Sequence, residues 1–105
     1  MIATENGEER AHYAELLRLK GWLLMQRGQP EEAEAALRAS IEVARAQKAR
    51  SWELRTTTTL ARLLAERQDR AAARQMLAEI YGWFTEGFDT RDLREAKALL
   101  DTLEA

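Results

Sequence analysis

The sequence predicts an all-α fold: a right-handed helix-hairpin solenoid of two repeats, closed by a C-terminal capping helix. Three observations lead there. First, Gly21, Leu23, Leu24, Ala33 and Leu37 recur 40 positions later as Ala61, Leu63, Leu64, Ala73 and Leu77. Small and large apolar residues thus return in the same order. Second, apolar residues step by three or four from His12 onward, which stripes one face of successive helices. Third, helix-ending and helix-starting residues, such as Gly28, Pro30, Asp69 and Gly87, separate the stripes. A lone hairpin leaves an apolar face open, and a neighbouring hairpin covers it.

The elements follow in order. Residues 1–11 are predicted to be a flexible leader, with Asn6-Gly7 as a turn signal, ahead of one domain spanning 12–105. Repeat one covers about 12–48. Its first helix carries Leu17, Gly21 and Leu24 on one face and ends at Gly28, where glycine takes the left-handed conformation without a Cβ clash. Pro30 opens the second helix, where its missing N–H loses no intrahelical bond. Glu31 and Glu32 then sit at the positive end of the helix dipole. The inner face carries Ala33, Ala36, Leu37, Ile41 and Ala44, and Glu34 pairs with Arg38 outside for about 0.3 kcal/mol.

Repeat two covers about 51–86. Ser51 is the expected N-cap of a helix whose inner stripe is Leu54, Thr57, Ala61 and Leu64. The run Thr56–Thr59 opposes helix there by roughly 2 kcal/mol relative to alanine, because β-branched side chains lose rotamer freedom. A strand would need a partner strand that the chain does not offer, so packing is expected to override propensity. Asp69 caps the fourth helix, with Ala73, Met76, Leu77, Ile80, Tyr81 and Phe84 inside, and Gly87 breaks it. A fifth helix, about 90–104, carries Leu93, Ala96, Leu100 and Leu103 and closes the stack.

The bulk properties suit one domain of 105 residues that buries a little under two-thirds of its unfolded surface, roughly. Charged residues make up 32% of the chain, yet the net charge is only −2, which argues against nucleic acid as the main ligand. There is no cysteine, hence no disulfide framework and no thiolate metal site. The apolar run Gly21–Met25 is too short to span a bilayer, and the first residues lack the apolar core of a signal peptide. A cytoplasmic protein without a membrane partner is expected.

The order Leu17–Gly21–Leu24–Gly28–Ala33–Leu37, followed by Thr57–Ala61–Leu64–Ala73–Leu77, resembles the tetratricopeptide repeat. That family's unit is usually about 34 residues, whereas the period here is 40. Ser40 and Ile80 stand where the family usually has alanine, and Thr57 where it often has an aromatic. More narrowly, residues 14–21, 28–34, 51–55, 81–90 and 92–100 resemble the C-terminal tail of large bacterial signalling proteins, namely predicted ATPases and class III adenylate or guanylate cyclases. The most specific of these blocks is Tyr81–Thr90. The resemblance implies the non-catalytic tail of a longer chain, a regulatory or scaffolding end whose partner is a protein, a peptide or another part of the parent protein.

In that family the first helix of each hairpin lines the concave side. Carried over by position, repeat one offers Glu15, Arg18, Trp22, Met25 and Gln26, and repeat two offers Arg55, Thr58, Arg62 and Glu66. Arg18, Arg55 and Arg62 can pair with carboxylates, while Trp22 and Met25 can anchor an apolar side chain, a mixture common at interface hot spots. Trp22 has a second reading, as a packing residue against a preceding repeat or the leader, and that reading has the greater weight. Trp52, Trp83, Phe84 and Phe88 are expected in the core. The alternative function is self-association as a homodimer, because the N-terminal end of the stack has no evident polar cap.

Catalysis finds no support. His12 is the only histidine and is expected to be solvated, so it has no partners for acid–base work or zinc. The segment Gly28-Gln-Pro-Glu lacks the Gly-Lys-Ser/Thr ending that holds phosphates. Paired acids such as Glu31/Glu32 and Glu8/Glu9 read as helix-start and leader charges. No cofactor and no metal are expected.

Overall fold

The computed structural model describes residues 3–104, with side chains described from His12 to Glu104. Among the described residues the chain is all-helical: α1 (Ala3–Gln26), α2 (Pro30–Ala46), α3 (Arg50–Glu66), α4 (Arg70–Tyr81) and α5 (Arg91–Glu104). α1 packs on α2 and α3 on α4. α3 also lies against both helices of the first pair, and α5 against both α3 and α4. The central helix α3 therefore touches every other one.

The first helix is longer than the sequence predicts. It starts at Ala3 and includes most of the expected leader, while Met1 and Ile2 lie outside the described residues. Once a helix is nucleated, each hydrogen bond requires fixing only one further residue instead of three, and this extension outweighs one Asn-Gly signal.

The chain turns three times in the same way. Gly28, Lys48 and Gln68 each take positive φ, at 75°, 57° and 70°. The next residue's N–H then reaches back to the carbonyl oxygen five positions earlier: Gln29 to Leu24, Ala49 to Ala44 and Asp69 to Leu64, at 2.9, 2.9 and 2.8 Å. These bonds satisfy carbonyls that the helix end leaves open. One helix with its turn thus fills 20 residues, and two make the 40-residue echo. Pro30 opens α2 as predicted, and Asp69 caps α4 by accepting from the Ala72 N–H at 3.4 Å. α3 starts two residues ahead of expectation: Ala49 holds the cap position without a side-chain bond, and Ser51 lies inside the first turn.

The core forms along the predicted stripes. Ala33, Leu37, Ile41, Leu54, Ala61, Leu64, Ala73, Leu77, Leu93, Ala96, Leu100 and Leu103 are all buried, while Leu24, Met25 and Met76 pack at its margin. The four threonines are helical and buried, and the hydroxyls of Thr56, Thr58 and Thr59 find partners. Thr58 donates to the Leu54 carbonyl at 2.9 Å and Thr59 to the Arg55 carbonyl at 3.3 Å. Such bonds to the preceding turn let a hydroxyl enter a core without desolvation loss. Ser40 donates to the Ala14 carbonyl at 2.7 Å and so accepts from Thr56 at 2.9 Å, tying α1, α2 and α3 together.

Two expectations fail at the α4–α5 junction. α4 ends at Tyr81, with Gly82 as its C-cap, rather than near residue 86. The connecting loop then carries Trp83 and Phe88 outward instead of into the core, and both are exposed. α5 docks through its own leucines, so the loop aromatics are left to pair locally. Trp83 meets Phe84 edge-on at 5.2 Å and Arg50 at 5.2 Å, and Phe88 meets Tyr81 at 5.7 Å.

Candidate functional site

The odd-numbered helices share one side of the molecule and enclose a groove of about 330 Å³. It is lined by Arg18 of α1, by Arg55, Thr58, Thr59 and Arg62 of α3, and by Arg91, Asp92 and Glu95 of α5. On α3, residues 55, 58, 59 and 62 recur at steps of three and four, so a single face presents them.

Charge organises this surface. Arg18 donates through Nε to Glu15 at 2.9 Å, and that bond holds the Glu15 carboxyl below its usual range and the Arg18 guanidinium above its own. Arg55 bridges the three helices: it pairs with Asp92 at 3.1 Å, approaches Glu15 at 3.9 Å and lies over the Trp52 ring at 5.0 Å. Glu95 receives Arg91 at 3.0 Å and Arg62 at 4.0 Å. Four guanidiniums thus face three carboxylates, and one positive charge is left over.

The sequence-derived candidates divide. Arg18, Arg55, Thr58 and Arg62 converge in the groove, although Thr58 is buried and its hydroxyl is committed to the Leu54 carbonyl. Glu15 stands at its edge, through Arg18 and Arg55. Trp22, Met25, Gln26 and Glu66 lie outside its lining. Met25 packs against the core, Gln26 and Glu66 are solvent-exposed, and Trp22 is half exposed. Thr59, Arg91, Asp92 and Glu95 were not foreseen. α5 reads as a cap in the sequence; in the structure it packs on both α3 and α4, and its first residues join the groove.

A shallower cleft of about 210 Å³ lies on the opposite side of α3 and includes Arg45, Arg50, Glu53, Met76 and Trp83. Its chemistry is closed on itself, since buried Glu53 accepts from Arg45 at 2.8 Å and Arg50 at 3.1 Å. Among the described residues, no group of three His, Cys, Asp or Glu is placed to hold a metal ion, and no helix is long and apolar enough to cross a membrane.

No family model, curated protein or solved structure matches the chain.

The threonine hydroxyls of the groove donate to backbone carbonyls of their own helix, Thr58 to Leu54 and Thr59 to Arg55. The groove arginines are each 40% exposed or more along α3 and pair in partly solvated ion pairs, which are weak and exchangeable. An incoming carboxylate can therefore take over a guanidinium from Asp92 or Glu95 at low cost.

Proposed function

We propose that this chain is a non-catalytic protein–protein interaction module: a right-handed tetratricopeptide-like solenoid with two repeats and a capping helix. It serves as the cytoplasmic regulatory or scaffolding end of a larger bacterial nucleotide cyclase or ATPase signalling protein. The observation that carries the binding role is the convergence of Arg18, Arg55, Arg62 and Arg91 from three helices on one groove. Groove pairs that satisfy one another keep the free surface soluble, and the surplus positive charge favours a peptide with acidic residues. The placement in a signalling protein rests on the resemblance of residues 14–21, 28–34, 51–55 and 81–100.

The test is to pan the immobilised chain against a displayed random-peptide library, beside the double variant Arg62→Glu/Arg91→Glu. Both side chains are well exposed, at 46% and 85%, so the variant keeps the fold. Enrichment of acidic peptides by the wild type, lost in the variant, is the expected result. No enrichment by the wild type, or equal enrichment by both, would refute the groove as the binding surface.

A further inference from the structure

Leu16, Leu19 and Leu23 step by three and then four along the outer side of α1, and they are 63%, 42% and 54% exposed. Tyr13 and Trp22 flank them, also exposed. The 40-residue echo shows what this face is. Its counterparts in repeat two are Thr56, Thr59 and Leu63, which are 1%, 7% and 3% exposed. The helices of repeat one cover those counterparts, and the Ser40–Thr56 bond marks that contact. Among the described residues no helix lies over the same face on α1, and it is more apolar than the covered one.

We propose that this face pairs with the same face of a second copy, α1 against α1, in a closed two-fold dimer. Three features select that occupant. The 3–4 leucine spacing is the seam by which like helices interlock side chains. The exposed side chains from His12 to Leu23 include a single charge, Lys20, so the face meets its own image almost without like-charge opposition. The opposite end of the molecule does not suit it: the outer side of α5 exposes Arg91, Arg94, Lys97, Asp101 and Glu104. Head-to-tail stacking would bury those charges against leucine, whereas a two-fold contact buries leucine against leucine. The five apolar side chains expose on the order of 500 Å² per copy, at the upper range of patches on monomers and most of the ~800 Å² a standard interface takes from each partner. Exposed Ala35 and Ala39 of α2 line a cleft with Leu17, Lys20 and Leu24 of α1. The dimer leaves the α1–α3–α5 groove open, so it does not depend on the peptide-binding reading.

Light scattering of the full 105-residue chain across a concentration series should give about twice the 12.0 kDa chain mass. The double variant Leu16→Glu/Leu23→Glu should give the monomer mass with unchanged helical circular dichroism. A wild type monomeric up to about millimolar concentration, or a dimer that persists in the variant, would overturn the proposal. Because the chain has no cysteine, a second reading is free of background. Leu19→Cys should cross-link under mild oxidation and Ala98→Cys on α5 should not; the reverse pattern would place the contact at the other end.

Discussion

Gly21 and Leu37 hold α1 and α2 at a separation that no larger residue fits. A Cβ built on Gly21 would stand 2.6 Å from Leu37 Cγ and 3.2 Å from the Ala33 carbonyl oxygen. Leu37 is fully buried, so its side chain has no free space to retreat into. Gly21→Ala is therefore expected to lower stability by about 1–3 kcal/mol, despite alanine's better helix propensity. Urea denaturation of both proteins measures it. Repeat two has Ala61 at this position against Leu77 and Ala73, all fully buried, so one methyl is already accommodated there. Ala61→Ser, which adds a hydroxyl to that packed site, should likewise destabilise.

Ser40 links three helices through one hydroxyl. Its loss in Ser40→Ala removes the bond to the Ala14 carbonyl and leaves the buried Thr56 hydroxyl without its acceptor. The expected loss is about 1–2 kcal/mol. The double variant Ser40→Ala/Thr56→Val should lose less than the sum of the single changes, because no orphaned hydroxyl remains; a thermodynamic cycle of the four proteins reads this coupling.

Lys48 and Gln68 occupy left-handed turns that disfavour side chains. Lys48→Gly and Gln68→Gly should each stabilise by about 1 kcal/mol, since glycine takes that conformation without strain. Thermal melts should rise by roughly 4–8 °C per substitution for a domain of this size. Gly28→Ala, at the equivalent turn, should lower the melting temperature, although nothing crowds the added methyl.

The Arg18–Glu15 pair makes stability depend on pH in a defined direction. The hydrogen bond from Arg18 lowers the folded-state pKa of Glu15 below its unfolded value. Its contribution is therefore fully present above the ordinary carboxylate range and is lost as pH falls through the lowered value. Arg18→Gln should destabilise the domain at pH 7, and the gap to wild type should shrink toward pH 3. Denaturation curves at the two pH values, with an NMR titration of Glu15, test this.

Much of the fold was legible along the chain. Pro30, Asp69 and the Glu34–Arg38 pair act where local rules place them, and the inner faces of α2 and α5 follow the apolar period. The repeated 20-residue turn was hidden because only one of its three left-handed positions is glycine; the others are lysine and glutamine, which carry no turn signal. The groove was half legible. Arg18, Arg55, Thr58 and Arg62 lie on the first helix of each hairpin, which a pattern can find, whereas Arg91, Asp92 and Glu95 join them only because α5 docks beside α3.

The sequence by itself determined that the chain is helical and which face of α2, α3 and α5 turns inward. Periodicity and turn chemistry are local, acting between residues three or four apart. Tertiary structure decided the rest. It buried the Thr56–Thr59 run in a helical core, where Ser40 of α2 accepts from Thr56, and it turned Trp83 and Phe88 outward. It also left the leucines of α1 uncovered while burying their counterparts on α3. Burial and pairing depend on which helix arrives alongside, and that contact joins residues far apart in the chain.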